Sequence, residues 1–294
     1  MQRDNECHLT LFGIPTLIIA DDPQLLATAR AAHADWLADR SAATPDIVLR
    51  LSRGDAPSDE VSPTIRVDGS RLTLRAAGID GWADAGARDA ACRVPAGLIG
   101  DPARLADTVT DTLLLFIATR NQRPPIHASG IIIGGTAVVL AGPSGSGKST
   151  LALAARDRGL DVLSDDTLYI ASEPLQVWGW PRPIHVLAEN APPGEYATRW
   201  RNGRSKRAIP RESRSALVAD KASLVLLARG DEIALDRIDP AGAIAILDDP
   251  EPGFDLLREE SCAAITTLAA SGAWRLTLSS DPHAAIDRLL EAFG

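Results

Sequence analysis

The chain has 294 residues, 45% of them apolar, enough for one large domain or two smaller ones. A formal charge of −9 argues against a general nucleic-acid partner, and no apolar stretch approaches the length of a transmembrane helix, which argues against a membrane one. Cys7, Cys92 and Cys262 are too widely spaced for a metal or redox motif, and the charged opening MQRDNECHLT lacks the apolar core of a signal peptide, so a cytoplasmic protein is expected.

Composition divides the chain near residue 120, predicting a small N-terminal α/β module over 1–118 and a larger domain over 119–294. Leu9 to Ala20 reads as a strand pair around Gly13-Ile14-Pro15, and Pro23 to Arg40 as a helix by its apolar period. Strands are predicted over Pro45–Leu51, Thr64–Val67 and Arg71–Ala76, the last two joined at Asp68-Gly69-Ser70. Pro102 to Arg120 reads as a long helix starting after Asp101.

From Pro125 the signal is denser. IHASGIIIGG and TAVVLAG read as two strands flanking Gly134-Gly135, and the second runs straight into GPSGSGKST, Gly142 to Thr150, followed by the helical LALAARDRGL. Strand, glycine-rich loop and helix in that order make a phosphate-binding loop. Gly142, Gly145 and Gly147 let the backbone of the loop, which also holds Pro143, Ser144 and Ser146, curl so that consecutive N–H groups face phosphate oxygens. Lys148 is expected to reach the β and γ phosphates of ATP, Ser149 to ligate Mg²⁺, and Thr150 to face the helix or supplement the site. A short strand over Leu160–Leu163 then ends at Ser164-Asp165-Asp166, the layout of an acid that serves the magnesium. If that strand persists, Asp165 and Asp166 point to opposite faces and have different tasks; an exposed Asp-Asp turn is the plain alternative. His127, just after Pro124-Pro125, is by itself as consistent with a satisfied core histidine as with a catalytic one.

Together IHASG, GPSGSGKSTLAL and the segment from Arg158-Gly159-Leu160 to Asp165-Asp166 resemble the catalytic domain of HPr kinase/phosphorylase in order and spacing. The resemblance covers residues 120 to 235 well and the rest loosely. It implies an α/β fold with a P-loop domain of HPr kinase C-terminal-domain type, often a homo-oligomer, using ATP and Mg²⁺. It also implies His127 beside the γ phosphate, Asp165 as general base toward a serine hydroxyl, and Asp166 in the metal region. Thr150 stands where that family usually has a glutamate, and the family's later glycine-rich signature has no convincing copy here. The N-terminal module is more similar to the HPr-kinase-like proteins of lasso peptide clusters, which implies a precursor peptide ending in serine as acceptor; HPr itself is the alternative.

VWGWPRPIHVL and YATRWRNGRSKRAIP follow the aspartates, and Trp178 and Trp180 would share one strand face. Arg199, Arg201, Arg204, Lys206 and Arg207 suit phosphate or a peptide carboxylate, with Arg182 a weaker candidate. Lys206 and Arg207, before Ile209-Pro210, are the ones expected near the γ phosphate; a solvated basic loop is the alternative. KASLVLLAR and EIALDRI are predicted to pair across Gly230-Asp231, and Asp281 to Phe293 to form a closing helix. The leading expectation is transfer of a γ-phosphoryl group to a serine of a peptide or small protein. A nucleotide-hydrolysing switch and a non-catalytic nucleotide-binding scaffold are the rivals.

Overall fold

The first hairpin turns on two residues. Strands β1 (Glu6–Leu11) and β2 (Ile14–Ala20) pair antiparallel with Leu11 opposite Ile14, leaving Phe12 and Gly13 at φ +49° and +77°. A left-handed pair matches the right-handed twist of the flanking strands, and Phe12 tolerates it because its ring is buried edge-on against Trp36, centroids 5.2 Å apart. The computed structural model describes residues 5–39, 44–55, 63–201, 204–211, 217–247 and 257–294. It divides into two units, Met1–Asn121 and Gln122–Gly294.

In the first unit, α1 (Pro23–Ala32) starts with Pro23 behind the cap Asp22, whose carboxylate accepts the Leu25 amide at 2.8 Å. Helix α1 buries Leu25, Leu26 and Ala29 and ends at Ala32, short of the helix predicted to Arg40, itself outside the described residues; a 3₁₀ turn over Ala34–Trp36 follows. Strand β3 (Ile47–Gly54) then lies parallel to β2. With β4 (Thr64–Asp68), β5 (Arg71–Ala76), β6 (Ile79–Asp84) and β7 (Asp89–Pro95) it completes a sheet in the order β1-β2-β3-β7-β6-β5-β4. The predicted long helix is α2 (Pro102–Leu105), a π-helical turn over Ala106–Thr110 and α3 (Asp111–Arg120), burying Leu105, Val109, Leu113 and Ile117.

The second unit opens with β8 (Pro125–Ile126), β9 (Ala128–Ile133) and β10 (Thr136–Ala141), followed by α4 (Lys148–Asp157). After it come β11 (Val162–Ser164), β12 (Leu168–Ser172), β13 (Leu175–Gly179), β14 (Ile184–Leu187), β15 (Ala197–Arg201), β16 (Arg204–Ile209) and β17 (Val218–Ala219). The chain closes through β18 (Ala222–Arg229), β19 (Ala234–Arg237), α5 (Pro240–Leu247), α6 (Arg258–Ser271), β20 (Ala273–Leu278) and α7 (Pro282–Phe293). The main sheet runs β11-β9-β10-β18-β20-β19. Strand β10 alternates between two cores: Val138 and Leu140 join Leu151, Ile286 and Leu289 of α4 and α7, whereas Ala137, Val139 and Ala141 join Leu168, Ile170 and Leu268. A strand covered on both faces reads as a continuous apolar run, and TAVVLA does.

The predicted pairing of KASLVLLAR with EIALDRI is corrected. Strand β20, AWRLTL, lies between them, parallel to β18 with Leu224 opposite Ala273 and antiparallel to β19 with Leu235 opposite Leu276. Strand β18 is buried on both faces and needs a covered neighbour on each edge, which the crossover through α6 supplies. Two smaller sheets, β17-β13-β12-β8 and β14-β16-β15, belong to the same unit. Gly179 lets β13 touch β11, because a Cβ there would lie 2.0 Å from the Leu163 carbonyl oxygen.

Candidate functional site

Strand directions bring the chemistry to one edge. Strands β10, β18 and β20 are mutually parallel; β9 is antiparallel to β10 and β11 antiparallel to β9, so β10, β11, β18 and β20 all end on the same side, where β9 begins. Ala141 lies opposite both Ala128 and Leu226, which sets Gly142, His127 and the end of β18 side by side. The carboxyl edge of such a sheet is where α/β proteins take their ligands.

Between β10 and α4 the loop Gly142–Gly147 turns on Gly145 and Gly147, at φ +82° and +116°. A side chain on Gly147 would be strained by that φ and would press on Leu278 Cδ1 at 3.2 Å and Arg229 Nη2 at 3.4 Å. Pro143, Ser144 and Gly145 are exposed. Ser146 is buried, its amide donating to the Pro143 carbonyl at 3.1 Å and its hydroxyl having no hydrogen-bond partner among the described residues. Lys148 is 7% exposed and its ammonium donates to the carbonyls of Gly142 at 2.6 Å and Pro143 at 3.2 Å. Ser149 and Thr150 stand half-buried in the first turn of α4.

The acid turn is assembled from distant segments. The Ser129 hydroxyl of β9 donates to the Ser164 carbonyl at 3.0 Å, while the Ser164 hydroxyl accepts the amides of Asp166 at 3.4 Å and Thr167 at 3.3 Å. The strand thus stops at Ser164 and the two aspartates diverge. Asp165 is 4% exposed and its carboxylate accepts the His185 amide of β14 at 2.8 Å. Burial pushes its pKa up to about 6, with the Asp166 charge adding to the rise; the His185 amide and the Lys206 charge pull against it. Asp166 is partly exposed and its carboxylate lies 3.5 Å from His127 Nδ1, an ion pair when the imidazole is protonated. Burial and the Asp166 charge raise the Tyr169 hydroxyl well above its ordinary range.

His127 falls between β8 and β9. Lys206 lies opposite Leu187, on the His185 face of β16 and within electrostatic reach of Asp165, whereas Arg207 lies opposite Val186 on the other face and donates to the Thr198 hydroxyl. The strand's alternation therefore separates the two bases. The side chains of Arg199, Arg201 and Arg204 lie outside the described ones, as do residues Asn202 and Gly203. Trp178 and Trp180 are both buried; Trp180 meets Tyr169 edge-on at 6.3 Å between centroids and carries the Arg182 guanidinium at 5.6 Å from its own. Two contributors are absent from the sequence reading: Ser164, as the builder of the turn, and Arg229, whose guanidinium donates to the Gly145 carbonyl at 3.3 Å. An apolar strand ending in arginine was the available signal for the second.

Several groups here match what a nucleotide and its metal need. The Ser149 hydroxyl and Asp166 carboxylate are hard oxygen donors of the kind magnesium takes, and a nucleotide-borne magnesium requires only one or two from the protein. No cluster of three or more His, Cys, Asp or Glu suited to a metal occurs among the described residues. None of their helices is long and apolar enough to cross a membrane.

No family model and no curated protein matches the chain. Among solved structures, the HPr(Ser) kinase/phosphatase from Coxiella burnetii is similar with a TM-score of 0.28 and 13% identity, over 58% of this chain and 95% of that one. The order of strands and helices by itself makes the fold mixed α/β.

Proposed function

We propose that this chain is an ATP-dependent kinase that transfers a γ-phosphoryl group to a serine hydroxyl of a peptide or small protein. The observation that carries the reading is the convergence, at one sheet edge, of a glycine-shaped loop with a buried lysine and a buried carboxylate with a raised pKa. Loop amides and the positive end of α4 bind the phosphates, and Lys148 exchanges the Gly142 and Pro143 carbonyls for phosphate oxygens. Asp165 takes the serine proton as the serine oxygen bonds to the γ phosphorus and the β–γ bridging oxygen departs with ADP. A base with a pKa near 6 stays ionised at neutral pH yet accepts a proton more readily than a surface carboxylate. Magnesium, when held by Ser149 and Asp166, neutralises charge on the transferring phosphates. His127 and Lys206 flank the carboxylates and orient or steady the negative charge gathered there.

Two acceptors fit, the serine of HPr and the C-terminal serine of a lasso precursor peptide, and the resemblance of the nucleotide motifs favours the first. The test is mass spectrometry of HPr and of a serine-terminated peptide after incubation with ATP and magnesium, with Lys148→Ala and Asp165→Asn as controls. Phosphoserine that disappears in both variants supports the kinase, and the labelled acceptor decides between the two. Lys148-dependent ATP hydrolysis without transfer would instead support the switch, and tight ATP binding with neither reaction the scaffold.

A further inference from the structure

We infer that the carboxyl ends of β18 and β20 form the nucleoside subsite, with Arg229 as its principal binding residue; this rests on the kinase reading of the loop. The sheet order is the argument. Both aspartates follow β11, two strands from β10 on the side of β9, so in that reading the terminal phosphate points toward β9 and β11. A phosphate chain laid across the loop then carries its sugar and base to the opposite flank. That flank is β18, one strand spacing of about 4.8 Å away, with β20 beyond it.

The side chain stationed there is Arg229. It ends β18 opposite Leu278, the last residue of β20, and is exposed. One guanidinium N–H is fastened to the Gly145 carbonyl, and the group lies against Gly147, the residue at which a Cβ would intrude. A planar cation held at one corner on an exposed residue suits stacking on a base and hydrogen bonding to the sugar. Stacking of this sort does not read base edges, so adenine and guanine nucleotides should gain equally from it.

Calorimetry with ATP, GTP and inorganic triphosphate, each with magnesium, separates the possibilities. Arg229→Ala is expected to weaken ATP and GTP about tenfold and to leave triphosphate within about twofold of the unsubstituted protein. Arg229→Lys, which keeps the charge but loses the planar face, should behave like the alanine variant. Equal weakening of ATP and triphosphate would overturn the subsite, making Arg229 a phosphate or loop residue, and so would unchanged ATP affinity. Lys148→Ala must weaken all three ligands; if the unsubstituted protein binds none of them, or binds them independently of Lys148, the kinase reading fails and the subsite with it.

Discussion

The loop after β10 and the turn after β11 reach the same sheet edge by different construction. The loop is made of consecutive residues, its shape set by glycine backbone and its outer positions Pro143, Ser144 and Gly145 exposed. The turn buries Asp165 and is held by Ser129, Ser164 and His185, which come from three strands. A phosphate cradle needs only local backbone geometry, whereas a base of adjusted pKa needs an enclosure, and an enclosure takes residues far apart in the chain.

The widest separation between the two flanks should come from their central residues. Lys148→Ala is expected to lower kcat/KM by about 10³-fold with a large loss of ATP affinity, whereas Asp165→Asn should lower kcat by about 10³-fold with ATP affinity kept; steady-state kinetics beside calorimetry tests this. If Asp165→Asn also abolished binding, the two flanks would not be functionally distinct. The second test is stability against pH in metal-free protein. Because the folded pKa of Asp165 lies above its unfolded value, native protein holds that proton more tightly, and the associated stability is full below about pH 4 and lost as pH rises through 6. Asp165→Asn has no such loss, so it should match the unsubstituted protein near pH 4 and exceed it by about 2–3 kcal/mol at pH 8 in chemical denaturation.

Smaller effects sharpen the contrast. Gly147→Ala forces a side chain into a left-handed position beside Leu278 and Arg229, and should cost about 1–3 kcal/mol of stability together with ATP affinity. Ser164→Ala removes the acceptor for two amides of the acid turn and should cost about 1 kcal/mol while lowering kcat about tenfold without changing ATP affinity. Loss of affinity in Ser164→Ala would mean that the turn supports the loop as well.

What the sequence made legible follows the same division. GPSGSGKST, with TAVVLA before it and a helix after it, discloses its local geometry because each feature is a property of neighbours in the chain. Gly134 and Gly135, at φ +55° and +75°, likewise announce the β9–β10 hairpin. The acids could be named but not their surroundings: the burial of Asp165 depends on β14, and Lys206 is brought near it by a register that no local pattern encodes. The misassigned β18–β19 pair fails for the same reason, since adjacency along the chain gives no sign that a later strand will enter between them. A charged residue closing an apolar strand reads as solvent-facing, so the contact of Arg229 with the Gly145 carbonyl is visible only once the neighbouring loop is in place.

One detail of the loop bears on what can occupy it. With its ammonium already bound to the carbonyls of Gly142 and Pro143, Lys148 is its own loop's guest, and any incoming anion competes with those oxygens rather than with water alone. A monovalent ion replaces that internal attachment poorly, while a polyphosphate spanning both the ammonium and the amides of α4 repays it several times over. On the proposed kinase reading, the loop would favour a polyphosphate over a monovalent anion before any residue outside it takes part.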